Sequence, residues 1–216
     1  MGAIARNIAN KITTSGVFTS GAITNSSVTG ITVLANASDG ITLISSQTAS
    51  ASASISFTSG LTSTYKAYKF VFVNMHPATN AVNWSFNLST DGGSNYNVTK
   101  TSTFIYHLHN ENDSSTAYAF NGDPALAQET GFQRLNDNVS NDNDSNVSGS
   151  LILFNPASTT FVKQWIARTN ASRAEPLSEE TFVAGYGNTT SAVNAIQFKF
   201  SSGNTDAGTI YMYGIK

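Results

Sequence analysis

The chain has 216 residues, only 11% of them charged, with a formal net charge of −2 and no cysteine. An average globular domain carries about 25% charged residues; here Ser, Thr, Asn and Gly take their place, and because Ser, Thr and Asn compete with the helical backbone for hydrogen bonds, a helical bundle is disfavoured. The balance gives no basic footing for nucleic acid, 13 Phe and 8 Tyr argue against a chain disordered by charge, and disulfides, cysteine zinc sites and cysteine nucleophiles are excluded.

Residues 1–30 lack the continuous apolar run of a signal peptide, and no stretch of about 18 apolar residues occurs. Neither export nor membrane insertion is therefore expected. Between Lys11 and Lys66 the one charged residue is Asp39. Ile12, Val17, Phe18, Ile23, Val28 and Ile31 recur there singly or in pairs, separated by Gly16, Gly21 and Gly30. Such short apolar steps cannot make a core within one chain. They can pack when copies of the chain run side by side, or against a larger protein surface, and those six residues are the candidates for attachment. Residues 1–50 thus read as an extended attachment arm or short shaft, with a flexible Ser/Thr/Gly linker as the plainer alternative.

Residues 51–216 carry strand patterns. Ile55 and Phe57 alternate with Ser; Tyr68, Phe70 and Phe72 alternate with Lys69, Val71 and Val73; Val82, Trp84, Phe86 and Leu88 alternate with Asn83, Ser85 and Asn87, the last reading as outward-facing. Asp91-Gly92-Gly93 follows as a hairpin signal. Phe104, Tyr106 and Leu108 alternate with Ile105, His107 and His109. Leu151 to Phe154 is apolar on both faces, as is Phe70 to Val73, so these are central strands or strands covered by a neighbouring subunit. From Phe161 to Arg168, Phe161, Lys163 and Trp165 share one face. Glu175 to Glu180 is the most helix-compatible segment, and Phe182 to Tyr186 is a further short strand. Ile196, Phe198 and Phe200, then Thr209 to Tyr213, read as a terminal hairpin. About eight to ten short strands at ten-residue spacing, with almost no helix, indicate an all-β fold: an antiparallel β-sandwich of jelly-roll type over residues 51–216, preceded by the extended N-terminal arm.

Chemistry-bearing patterns are few. His107 and His109 lie two apart on one strand face, a spacing that can bind Zn²⁺, Fe²⁺ or Ni²⁺ but that equally describes two solvent-facing polar residues; no third ligand stands at motif spacing. Asp142, Asp144 and Asn146 open like a calcium loop, but Val147 and Leu153 stand where that loop needs Gly and Glu. No nucleophile elbow, phosphate loop or dinucleotide fingerprint is present, and the scattered glutamates form no recognisable catalytic pair; no enzyme activity and no cofactor are expected. Tyr96, Tyr106, Tyr118 and Tyr186, beside Asn, Asp and Ser, are the mixture that stacks on and hydrogen-bonds to sugars, and one that also suits subunit contacts.

The closing stretch Phe198 to Lys216 joins a Phe-rich strand to a Ser/Gly-rich turn, Gly208-Thr209-Ile210 and Tyr213-Gly214-Ile215. It resembles the C-terminal stretch of β-sandwich virion proteins of tailed bacteriophages. Tyr68-Lys69-Phe70 and Leu88-Ser89-Thr90-Asp91-Gly92-Gly93 resemble the same group, and Ile12-Thr13-Thr14-Ser15-Gly16 is similar to the attachment segments of phage fibre proteins. The resemblance implies a structural protein localised to the virion, a homotrimer docked by its arm on other tail or capsid proteins. It implies either a tail fibre or adhesin touching a host surface glycan, or a capsid decoration (cement) protein. A lectin-like carbohydrate-binding module is the non-viral alternative.

Overall fold

The structure, a computed structural model, describes residues 40–216. The candidate attachment residues Ile12, Val17, Phe18, Ile23, Val28 and Ile31 lie outside the described residues. The chain forms β1 (Ile41–Thr48), β2 (Ile55–Phe57), β3 (Ala67–Pro77), β4 (Val82–Ser89), β5 (Lys100–Asn110), β6 (Thr116–Phe120), β7 (Ala127–Glu129), β8 (Gln133–Val139), β9 (Val147–Phe154), β10 (Lys163–Ser172), β11 (Leu177–Gly187), β12 (Ala195–Phe200) and β13 (Thr205–Ile215). A nine-stranded sheet runs β1-β13-β3-β9-β10-β11-β5-β6, with β7 also on β5, and a four-stranded sheet runs β2-β12-β4-β8. All pairings are antiparallel. The fold is an all-β sandwich of two packed sheets.

Period-two alternation decides which side chains meet between the sheets. On β10, Lys163, Trp165, Ala167, Thr169 and Ala171 are buried while Gln164, Ile166, Arg168 and Asn170 face out. The core is aromatic at its centre. The Phe198 ring of β12 lies 5.1 Å from Phe72, 5.4 Å from Phe70 and 6.0 Å from Trp84, and Phe86 meets Trp165 edge-on at 5.0 Å. Edge and offset contacts of this kind add about 0.5–1.5 kcal/mol per pair beyond the area buried. Trp165 needs the glycine opposite it. A Cβ at Gly185 on β11 would stand 2.7 Å from its ring. Polar bonds tie the sheets together beyond the aromatics: Thr169 and Thr181, from β10 and β11, both donate to the carbonyl of Leu135 on β8 at 2.7 and 2.5 Å.

Several sequence expectations are revised. Residues 41–48, counted with the arm, form β1 and pair with β13 from Ile41↔Ile215 to Thr48↔Thr209. The turn at Asp91-Gly92-Gly93 has the expected chemistry, with φ of 74° and 92° at the glycines and the Asp91 carboxyl held down to about 2 by hydrogen bonds from Asn95 and Ser89. It is not a hairpin, however: β4 belongs to the small sheet and β5 to the large one. The terminal hairpin likewise dissolves, because β12 and β13 lie in different sheets. The helix-compatible Glu175–Glu180 enters β11. The doubly apolar segments are central strands: β3 sits between β13 and β9, and β9 between β3 and β10. Asn87 is fully buried rather than outward-facing, because Nδ2 donates to the carbonyls of Tyr96 and Thr130 at 2.6 and 2.9 Å, so residues around 96 and 130 cover it.

The sheets are unequal in width. β10 and β11 pack over β8, the last strand of the small sheet. β5 and β6 continue past it. Beside β8 and beneath β5, the inner face of the large sheet therefore has no further strand opposite it among the described residues.

Candidate functional site: a polar cleft beside β8

That uncovered strip forms a cleft of about 270 Å³. Inward alternation of β5 supplies Tyr106 and Leu108, and that of β11 supplies Glu179, the register partner of Leu108. β8 contributes Arg134, Asp137 and Asn138, the β6–β7 loop Asn121 and Asp123, and the turn after β10 Arg173. Arg134 Nη1 donates to Asp123 at 2.9 Å, and Arg173 Nη1 donates to Glu179 Oε2 at 2.6 Å. Asn138, at φ 49°, donates its N–H to Asn83 Oδ1 at 3.0 Å, which fixes the rim.

Two carboxylates here are out of balance. Glu179 is 2% exposed, and among the described residues its Oε1 has no hydrogen-bond partner; Asp137 Oδ1 also lacks one, with Arg134 Nη1 3.6 Å away in an ion pair. Burial pushes the Asp137 carboxyl up, against the opposing pull of Arg134 and Arg173. Burial pushes Glu179 up as well, with Arg173 opposing and the neighbouring Asp137 reinforcing. Buried acceptors left without donors are uncommon in folded proteins and mark strain or a binding role.

The far end of the same strands carries the opposite charge. Gly187, which closes β11, pairs with both Lys100 and Lys163, and both lysines are fully buried. Lys100 Nζ donates to Asn87 Oδ1 at 2.5 Å and to Val98 O at 2.6 Å; burial lowers it to about 7. Lys163 Nζ donates to Phe161 O at 2.6 Å and Thr189 O at 3.2 Å, and burial lowers it too.

The expected site residues do not form one constellation. Of the four tyrosines, Tyr106 lines the cleft. Tyr96 is half-buried at the 91–96 turn, its carbonyl holding Asn87. Tyr118 is 68% exposed on β6, and Tyr186 accepts from Gln128 Nε2 at 3.4 Å. His107 and His109 do share the outer face of β5. His107 packs against Tyr118 and Phe182 at 4.7 and 5.7 Å, whereas His109 Nε2 meets Asp113 at 2.8 Å. Among the described residues no group of three or more His, Asp or Glu stands in a metal-holding arrangement, and this includes the Asp142–Asn146 loop. Asp123, Arg134, Asp137, Arg173 and Glu179 escape sequence reading because they come from four separated segments. The alternation of β11 puts Glu179 on the buried side with Thr181 and Val183, which was the one signal available for it.

The outer face of the large sheet is a second surface. Register aligns Ile152, Ile166 and Ala184 in one row and Arg168, Phe182, Ile105 and Phe120 in the next. Ile166 is 49% and Phe120 61% exposed, and Arg168 lies 4.9 Å over the Phe182 ring. Comparison with protein-family models, curated proteins and solved structures yields no match.

Proposed function

We propose that the chain is a virion structural protein of a tailed bacteriophage, a homotrimeric tail fibre or adhesin held to the particle by its N-terminal arm and meeting the host surface with its sandwich. The observation that carries this reading is strand order. β1-β13-β3-β9 in one sheet lies against β2-β12-β4-β8 in the other. The chain alternates between sheets from β1 to β4, runs from β8 into β9, and closes β12 to β13. That order supports a jelly roll, an architecture common in viral capsid proteins and lectins, with β5–β7 and β10–β11 added to widen one sheet. Fold analogy alone does not give function. The role is further supported by the resemblance of the closing stretch and by the apolar rows on the outer face of the large sheet, which suit burial against sister subunits.

Purified protein, folded and trimeric, is expected to compete with phage for host cells and lower adsorption in proportion to its occupancy. Undiminished adsorption at saturating protein, together with no labelling of host cells, contradicts the adhesin role.

A further inference from the structure

We propose that the cleft between β8 and β5 is a binding site for a neutral saccharide, one sugar ring seated against Tyr106 with its hydroxyls on Glu179, Asp137 and Arg173. The inference rests on the host-contact reading for the source of the sugar, a glycan of the host surface.

Four features lead to this ligand class. The first is shape: about 270 Å³ lies just under the range of small-molecule sites, about 300–1,000 Å³, which suits a single ring better than a long chain. The second is the pair of unsatisfied acceptors. Among the described residues, Glu179 is nearly fully buried with no hydrogen bond to Oε1, and Asp137 Oδ1 beside it has none either, with Arg134 Nη1 in an ion pair at 3.6 Å; both residues line the cleft. A ligand that donates hydroxyl hydrogens answers that need.

The third is charge. Asp123, Asp137 and Glu179 face Arg134 and Arg173. An anionic ligand would meet three carboxylates. A metal cation finds no group of three or more suitable ligands among the described residues, and all three carboxylates are already paired with arginine. A neutral polyol, which both donates and accepts, matches a lining in which carboxylates, guanidinium groups and amides alternate. The fourth is the apolar floor: Tyr106 and Leu108 offer a surface for the C–H face of a pyranose, as an aromatic ring with a polar tip does.

The test is titration of the full chain with methyl glycosides of glucose, galactose, mannose and N-acetylglucosamine, and with sialyllactose as the acidic member, read by saturation-transfer NMR and calorimetry. At least one neutral glycoside is expected to bind with millimolar or tighter affinity. Glu179→Gln is expected to weaken it at least tenfold. Asp123→Ala, at an exposed rim position, is a second variant with little folding risk and is expected to weaken it several-fold, with unchanged circular dichroism. No binding by any neutral glycoside overturns the proposal, as does preference for sialyllactose or affinity unchanged in both variants. Glycoside binding without competition for adsorption contradicts the adhesin role and keeps the site; competition without glycoside binding does the reverse.

Discussion

Lys100 shows how far one residue can depart from its usual place. It is fully buried, and its ammonium donates to an amide oxygen and a backbone carbonyl, Asn87 Oδ1 and Val98 O. Its ordinary value of 10.5 falls to about 7, because burial disfavours the charged form. Above pH 7 the folded state has released this proton while the unfolded chain still holds it, so stability rises with pH until about 10.5. Between pH 7 and pH 9 the contribution is about 2 kcal/mol. Urea unfolding at the two pH values is expected to show this gain, and Lys100→Met is expected to lose most of it; an equal pH response in both proteins contradicts the assignment. None of this was legible beforehand, since a lysine opening a Thr-rich strand reads as a surface residue. What buries Lys100 is the fold around Asn87, assembled from residues near 96 and 130 that no local pattern connects.

At the scale of elements, alternation reveals the strands and their inner faces but not their partners. Trp84, Phe86 and Leu88 were readable as one buried face because the period is two. Phe161, Lys163 and Trp165 were readable as sharing a face, but Lys163 and Trp165 are buried while Phe161, before the strand begins, is 68% exposed. Turn chemistry was equally readable at Gly92 and Gly93, where φ is positive. The inference from turn to hairpin failed twice, at 90–99 and at 201–204, because in this fold a turn often carries the chain from one sheet to the other. β1 was missed for a different reason. Ile41 and Leu43 are 58% and 53% exposed, so the strand is held mainly by its ladder to β13 and looks like the Ser/Thr-rich segment before it. Deleting residues 1–39 is therefore expected to leave the sandwich folded with its Tm unchanged. Deleting residues 1–48 uncovers the edge of β13, and is expected to cost about 2 kcal/mol, roughly 4–8 °C at this size, and to promote aggregation through the open edge. Equal melting of the two truncations would mean that β1 adds nothing, and unfolding of the shorter deletion would place residues 1–39 in the core.

For the whole molecule, the low charge noted at the outset divides into three parts. Residues 1–39 hold only Arg6, Lys11 and Asp39, as befits a segment proposed to be covered by other virion proteins. Within the sandwich, two buried lysines lie at one end of β11, and at the other the buried Glu179 and the half-buried Asp137 stand beside arginines. The remaining charge lies on the surface. The widened sheet produces both candidate surfaces, the apolar outer rows and the cleft where the narrower sheet stops, so the additions to the eight-strand pattern are where function is proposed to reside. The most direct measurement is immunogold labelling of intact particles with antibody to the sandwich. The account predicts gold at the tail. Labelling confined to the head would make the protein a decoration protein and contradict the adhesin, and particles without label would remove it from the virion altogether.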